Sequence, residues 1–178
     1  PLRYPAKTSD GASVRKHGDY LEECGVQSMA LGNAVSWQNA WAQDQVHVLE
    51  MDRVKDCWVD DVRSYDPPTG PSSGKGKDDH LQSGGIIIQR SKRVTVANSQ
   101  LHGGQNKGGG GNGYLFEVRQ SSEVLFKDLQ ASNGRHNFIQ NWGFGNSGCV
   151  WLRVQSSGGN SWLNSNFPGL TGYSEFHH

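Results

Sequence analysis

Apolar and polar residues alternate along several short stretches of the chain, and these stretches can be aligned with one another. The aligned segments begin at Gln27, Arg53, Arg90 and Gln120. Alternation with a period of two is typical of a β-strand with one buried face. The aligned columns read Met29/Cys57/Val94/Val124, then Leu31/Val59/Val96/Phe126, then Asn33/Asp61/Asn98/Asp128. Strand repeats with a period of roughly 28 to 37 residues predict a β solenoid.

A second set of apolar stretches precedes these segments and predicts another stacked strand in each coil. Its members are Leu49-Glu50-Met51, Ile86-Ile87-Ile88, Phe116-Glu117-Val118 and Val150-Trp151-Leu152. The alternation puts the first and third residue of each triplet inside and the middle residue outside. A less regular third strand is predicted at Phe138-Ile139-Gln140. The whole pattern predicts about four coils.

The column of Asn and Asp residues is predicted to lie at a bend between two strands. Asparagine side chains at a bend can bond the backbone groups that the turn leaves unpaired. Stacked carboxylates repel one another, and an intervening asparagine relieves this because its amide can donate to a carboxylate above or below. We therefore interpret Asp61 and Asp128 as structural residues.

Two polar, turn-rich segments interrupt the period and are predicted to be projecting loops. They are residues 64–80 and residues 103–113, the second of which reads GGQNKGGGGNG. The glycine-rich segment lacks the residue order of a phosphate-binding loop and no helix pattern follows it, so a flexible turn is the favoured interpretation. Regular coils are expected over residues 24–157, within one domain that covers residues 1–178.

Composition agrees with a solenoid and excludes several function classes. The 178 residues include 24 glycines, 34% are hydrophobic, and the mean hydropathy is −0.68, which suits narrow inward stripes joined by tight turns. The formal net charge is zero, so no basic surface indicates nucleic acid. No apolar run is long enough for a membrane span. The chain begins without a start methionine or a signal-peptide pattern, and it ends without a cap on the last coil. We therefore expect it to be part of a longer protein.

Three cysteines, Cys24, Cys57 and Cys149, leave disulfide formation open. Cys57 lies in an inward column, where a buried thiol is the simplest interpretation. An odd number argues against a fully bonded framework, although a bridge between Cys24 and Cys57 stays open.

The coil pattern resembles the right-handed parallel β-helix of the pectin-lyase-like superfamily, in its secreted bacterial form. The resemblance lies in VKDCWVDDVRS, GGIIIQRSKRVTVANSQL, GYLFEVRQSSEVLFKDLQAS and GRHNFIQNWGFGNSGCVWLR. It implies an all-β parallel solenoid that is extracellular and acts on acidic polysaccharide as a lyase or a hydrolase, or serves as an adhesin or stalk. It transfers no catalytic residue: of the hydrolase motifs only Asp60-Asp61 is present, and Asp61 belongs to the bend column.

The resemblance places long substrates along the outward face of the first strand of each coil. Two outward columns on that face read Glu50/Ile87/Glu117/Trp151 and Asp52/Gln89/Arg119/Arg153. One interpretation is a sugar-binding groove, in which Trp151 stacks on a pyranose while Arg119 and Arg153 pair with uronate carboxylates. The other is a solvated face with ion pairs between neighbouring strands.

Two histidines are candidate general bases, because histidine titrates near neutral pH. His136 follows Arg135, which is a candidate for stabilising an enolate-like intermediate, and His80 follows Asp78-Asp79. Both histidines have the simpler interpretation of turn residues with local hydrogen bonds. No cofactor is predicted. A calcium site at Asp78, Asp79 and His80 is left open, although three consecutive residues rarely all reach one ion.

We therefore expect a secreted or cell-surface domain that acts on a polysaccharide as a lyase or a glycoside hydrolase. The predicted catalytic residues are Glu117, Arg119, Arg135 and His136, and the predicted substrate-binding residues are Glu50, Asp52, Trp151, Arg153 and His80. Glu50 and Glu117 are expected two coils apart, at roughly 9.6 Å, which suits an inverting hydrolase better than a retaining one. The expected partners are a polysaccharide and the rest of the parent protein. The alternative is a non-catalytic adhesin, stalk or assembly subunit.

Overall fold

The chain folds into short strands that stack in two sheets, as seen in a computed structural model that describes residues 7–13, 18–141 and 145–159 and the backbone of 174–176. The strands are β1 (Leu21–Glu22), β2 (Gly25–Leu31), β3 (His47–Asp52), β4 (Val54–Ser64), β5 (Gly84–Gln89), β6 (Lys92–Ala97), β7 (Gln100–His102), β8 (Tyr114–Arg119), β9 (Leu125–Ser132), β10 (His136–Asn141), β11 (Val150–Ser157) and β12 (Ser174–Phe176). A 3-10 turn covers Thr8–Asp10, and a short helix, α1, covers Trp37–Ala40.

Neighbouring strands in both sheets run parallel. Sheet A has the order β1-β4-β6-β9-β11, with β2 also pairing with β4, and β7 with β4 and β9. Sheet B has the order β12-β10-β8-β5-β3. Successive turns of the chain therefore add one layer to each sheet, which confirms the predicted parallel β-helix of about four coils.

The core lies between the two sheets and consists of apolar ladders. Val59, Val96 and Phe126 pair in register on sheet A, and Ile86 pairs with Phe116 on sheet B. All five side chains are at most 1% exposed. Each buried aliphatic or aromatic side chain of this size contributes about 1.5–3 kcal/mol to folding. These inward columns are those that the alternation predicts.

The strands of sheet A bend at one column of residues with left-handed backbone. Asp61, Asn98 and Asp128 have φ of 48°, 50° and 55°, and register adds Ser28 and Arg153 at 52° each. A left-handed non-glycine residue costs roughly 1–2 kcal/mol. Asp128 and Arg153 offset part of this cost through bonds of 2.5 and 2.7 Å between guanidinium and carboxylate. The bend divides sheet A, and we call residues 29–31, 62–64, 99–102, 129–132 and 154–157 its second arm.

Within the bend column, asparagine does not donate to the next aspartate of the ladder as expected. The amide of Asn98 donates to the Oδ1 atom of Asp60 at 2.7 Å, one residue before the bend. Asp61 instead lies 3.6 Å from Arg63. Asp61, Asn98 and Asp128 nevertheless lie at the bend that the sequence indicates.

The first repeat has a different register from the predicted one. Val26 pairs with Val59 and Met29 with Val62, so Ser28 stands at the bend where Asn33 was predicted. The alignment failed because apolar alternation continues on both sides of the bend and matches two registers equally well. Asn33 lies after the end of β2, where its Oδ1 atom accepts a hydrogen bond from the backbone N–H of Gln82 at 2.9 Å.

The last aligned triplet belongs to the other sheet. Val150-Trp151-Leu152 pairs with β9. Phe138-Ile139-Gln140, predicted as a third strand of its coil, instead takes the place beside β8 that was predicted for this triplet. The inward and outward positions are also reversed, since Val150 and Leu152 are 50% and 40% exposed. The ring of Trp151 stacks on Phe126 at a centroid distance of 3.9 Å. A large aromatic side chain gains more from this contact with the core than the flanking aliphatic residues would.

The three cysteines share one inward column of sheet A, the column that also contains Val94 and Val124. Register places Cys24 beside Cys57, and Cys149 lies next to Val124 at the other end of the column. The described part of the chain contains no disulfide. Cys57 is 3% exposed, and its thiol donates to the carbonyl of Lys55 at 3.2 Å, as expected of a core thiol.

Candidate functional site

Glu117 on β8 is fully buried, and both of its carboxylate oxygens are bonded. Its Oε1 atom accepts hydrogen bonds from Arg119 at 2.6 and 2.9 Å and from Asn141 at 2.8 Å. Its Oε2 atom lies 3.2 Å from Nε2 of His47. Gly84 permits this last contact, because a Cβ atom there would lie 2.5 Å from the His47 ring. The carboxylate thus connects strands β3, β8 and β10.

The surroundings of Glu117 keep it ionised. Burial by itself raises the pKa of this carboxyl, but the bond to His47, the charge of Arg119 and the amide of Asn141 together outweigh burial and lower the pKa below its usual range. The guanidinium of Arg119 is further bonded to Oε1 of Gln45, at 3.3 and 3.4 Å. An ionised carboxylate with these partners is suited to holding coils together and unsuited to donating a proton as a general acid.

Glu50 and Asp52, predicted to bind substrate, lie on the outer face of sheet B. Both carboxylates accept hydrogen bonds from side chains of the next coil. Glu50 accepts from the amide of Gln89. Asp52 accepts from Nε of Arg90 at 2.8 Å, and this bond lowers the pKa of Asp52. The pattern matches the interpretation of a charged face with ion pairs between strands.

His136 is the first residue of β10 and pairs with Tyr114, and Arg135 directly precedes that strand. Both are also buried, at 2% and 9% exposure. Both contact Tyr114: the guanidinium carbon is 5.6 Å from its ring centroid, and the imidazole centroid is 5.0 Å away. Arg135 also donates to the carbonyl of Gly108 at 2.8 Å. The four predicted catalytic residues thus lie on sheet B or directly beside it, as two separate pairs around Glu117 and Tyr114. Glu117, Arg135 and His136 are almost closed to solvent.

Trp151 and Arg153 do not share that surface. Both lie on β11 of sheet A, the first packed on Phe126 and the second bonded to Asp128. The prediction that they flank Glu50 and Asp52 is therefore wrong, because the triplet at Val150 was assigned to the wrong sheet.

A groove of about 560 Å³ lies on the second arm of sheet A and crosses four coils. Its walls come from β4, β7, β9 and β11 and from the loop 65–83. The polar side chains that line it are Ser64, Asp78, His80, Gln100, His102, Gln130, Ser132, Gln155, Ser156 and Ser157. Of the predicted site residues, His80 alone lies in this groove among those that the structure describes.

Three glutamines form a column along the groove. Gln100 pairs in register with Gln130, and Gln130 pairs with Gln155. All three side chains are exposed. Neighbouring parallel strands are about 4.8 Å apart, so the column offers an amide donor and an amide acceptor at each step.

Two histidines stand beside the glutamine column, each bonded to a serine. Nδ1 of His80 lies 2.8 Å from the hydroxyl of Ser64, and Nδ1 of His102 lies 2.7 Å from that of Ser132. The two rings are 5.0 Å apart. Burial, and then the neighbouring His102, lower the pKa of His80 below its usual range. The imidazole of His80 is therefore uncharged at neutral pH.

Sequence reasoning identified His80 but missed His102 and the glutamines. A signal for them was present, since each glutamine comes two positions after a bend residue, namely Asn98, Asp128 or Arg153. The correct register of β11 was needed to add Gln155 to the column.

The acidic cluster that follows Lys77 does not converge on one point. Asp78 accepts from Lys77 at 2.7 Å, whereas Asp79 lies 3.9 Å from Lys107. Within the part of the chain that the structure describes, no three His, Cys, Asp or Glu side chains are placed to hold a metal ion together. None of the helices described there has the length and apolar character needed to cross a membrane.

Comparison of the chain with protein-family models, with curated proteins and with solved structures finds no match. The chemistry of the groove is therefore taken from its own residues. Amides, hydroxyls and imidazoles in a long open groove are suited to hydrogen bonding with an extended, hydroxyl-rich polymer.

Proposed function

We propose that this chain is a carbohydrate-active β-helix of the pectin-lyase-like type, secreted or displayed at the cell surface, and that an extended polysaccharide binds in the groove of sheet A. The column of Gln100, Gln130 and Gln155 carries the proposal. Its step of about 4.8 Å is close to the length of one sugar unit in an extended chain. Successive sugars therefore meet successive glutamines when the polymer runs across the coils.

The polar surroundings of the column add contacts to the same ligand. A glutamine amide can donate to one sugar hydroxyl and accept from another. Ser132 and Ser157 line the groove alongside, and hydroxyls of this kind bond sugars in either direction. Each uncharged hydrogen bond contributes about 0.5–1.5 kcal/mol, so several acting along a chain give useful affinity.

Cleavage of the bound polysaccharide, by a lyase or a hydrolase reaction, is the second candidate function. His80 supports it, since its pKa is lowered and its Nδ1 atom is held by Ser64, as a general base requires. A glycosidase with two carboxylates receives less support, because Asp78 is the one carboxylate among the described residues that line the groove. A non-catalytic adhesin, stalk or assembly subunit would use the same groove for binding alone.

The test is binding to a panel of acidic and neutral polysaccharides, measured by affinity gel electrophoresis. Replacing Gln100, Gln130 and Gln155 together by alanine is expected to weaken binding about tenfold or more, because three hydrogen bonds are removed. The control is Gln89→Ala, which removes a similar amide from the outer face of sheet B and should leave binding unchanged.

Two results would contradict the proposal: no binding to any member of the panel, or binding that the triple variant leaves intact. Turnover is followed in the same samples by the release of reducing ends and by the absorbance of unsaturated uronates. Loss of product formation in His80→Gln, with binding retained, is the result expected of a catalytic base. Binding without any product favours the adhesin or stalk.

A further inference from the structure

We propose that the groove of sheet A selects an uncharged polysaccharide over one built from uronic acids. This selectivity rests on the proposed function and names the class of ligand that the groove takes. The polar lining consists of glutamine, serine and histidine side chains, with Asp78 as the one formally charged group among the described lining residues. Asp78 is in turn bonded to the neighbouring Lys77 at 2.7 Å. The channel thus offers many hydrogen-bonding groups and almost no net charge.

Recognition of a uronate chain needs cations at regular intervals along the channel. Guanidinium groups are the usual partners of carboxylates in proteins. The two that were expected to fill this role are bonded elsewhere, Arg119 to Glu117 on sheet B and Arg153 to Asp128 at the bend. Neither lines the groove.

One further arginine lies at the end of the glutamine column. Arg63 pairs in register with Gln100, but its guanidinium is 3.6 Å from the carboxylate of Asp61. The side chain is 65% exposed and lies outside the groove lining. It can meet one end of a bound polymer at most, which is too little to select a uniformly charged chain.

His80 adds no positive charge to the groove at neutral pH, because its pKa is lowered. The groups that act on His80 are His102, Asp66, Asp79 and Ser64, and burial has the largest effect on its pKa. A uronate chain entering the groove would therefore lose hydration of its carboxylates without a compensating ion pair.

The test compares acidic with neutral oligomers and includes one pair that differs only in the carboxylate. The probes are polygalacturonate oligomers and the same oligomers after chemical reduction of the carboxyl groups, together with neutral cello-, xylo- and manno-oligosaccharides of matched length. Dissociation constants are measured by titration calorimetry at pH 7.5 for the unmodified chain and for the triple glutamine variant. We expect at least one neutral oligomer to bind about tenfold or more tightly than polygalacturonate, with this difference lost in the triple variant.

A second variant tests the electrostatic cause directly. Gln130→Lys places a cation in the middle of the column and is expected to shift the preference several-fold towards polygalacturonate. Tighter binding of polygalacturonate to the unmodified groove, with sensitivity to the triple variant, would overturn the selectivity while the polysaccharide groove stands. Absence of binding to every probe, or indifference to the triple variant, would overturn the proposed function itself.

Discussion

At the scale of single residues, the cost of burying a charge at Glu117 is offset by partners that come from three coils. His47, Arg119 and Asn141 together bond both carboxylate oxygens. In a buried site such bonds are strong because water does not compete for them. Removing one partner of a buried charged pair typically costs about 3–5 kcal/mol, since the remaining charge is left without compensation. Glu117 is therefore best understood as the connection that fixes strands β3, β8 and β10 of sheet B.

This role predicts a large effect of Glu117→Gln on stability and none on ligand binding. The free energy of unfolding should fall by about 3 kcal/mol, because Arg119, whose side chain is 16% exposed, loses the carboxylate that compensates its charge. The lowered pKa of Glu117 means that its contribution is complete above the ordinary glutamate value of 4.5 and is lost as the pH falls below it. The variant should therefore unfold more easily at pH 7 and lose less stability on acidification. Urea denaturation at pH 7 and pH 3.5 measures both effects.

The control for this prediction is Glu50→Gln on the same face of sheet B. Glu50 is exposed and bonded to Gln89, so its replacement should change the free energy of unfolding by less than about 1 kcal/mol. Loss of a catalytic activity in Glu117→Gln with stability unchanged would contradict the structural role and restore Glu117 as a reacting group.

At the scale of elements, the bend column shows why the strands of sheet A turn where they do. Five stacked layers of sheet A place a left-handed residue at the same register position, and two of these residues, Ser28 and Arg153, are not asparagine, aspartate or glycine. Side chains other than Asn, Asp and Gly rarely adopt this backbone. The bonds between Asp128 and Arg153 and between Asn98 and Asp60 help to hold the bend from one coil to the next.

Replacements of Asn98 can separate backbone strain from the lost hydrogen bond. Asn98→Gly and Asn98→Ala both remove the bond to Asp60, but alanine also adopts the left-handed backbone, with φ near 50°, at a cost. We expect Asn98→Ala to be less stable than Asn98→Gly by about 1 kcal/mol. Thermal denaturation of the two variants measures the difference. An alanine variant as stable as the glycine variant would mean that the bend is not left-handed at this position.

The same elements show how far the sequence alone could lead. The inward columns through Val59 and Ile86 follow from alternation, because each inward position must meet an apolar neighbour in the adjacent coil. The first repeat was placed in the wrong register because alternation continues on both sides of the bend. The strand β11 was assigned to the wrong sheet because alternation does not say which sheet receives a strand. Side-chain partners such as His47 beneath Glu117 depend on contacts between distant segments, which no local pattern encodes. The glutamine column was accessible from sequence once the register of β11 was known.

At the scale of the whole molecule, two faces of the β-helix have different chemistry. The outer face of sheet B satisfies its own charges, as Glu50, Asp52 and Glu117 each bond a side chain of another residue on that sheet. The second arm of sheet A leaves uncharged amides open along a groove. A parallel stack repeats any such choice from coil to coil, so a single residue type at one position becomes a continuous surface. This repetition is what makes the glutamine column suited to a repeating polymer.

The stacked architecture also predicts how damage to the core spreads. In a solenoid each coil contacts mainly its neighbours, so stability is close to a sum of local terms. Phe116 is fully buried and stacks on Phe138 at a centroid distance of 5.4 Å. Phe116→Ala should therefore cost about 3–5 kcal/mol and increase amide hydrogen exchange most in β5, β8 and β10. Exchange in β1 and β2, which pair with β4 alone among the described strands, should rise less.

Trp58→Ala, at an outward position of 39% exposure, provides the control with little change in either measure. A uniform rise in exchange across all strands would show instead that the coils unfold as one cooperative unit.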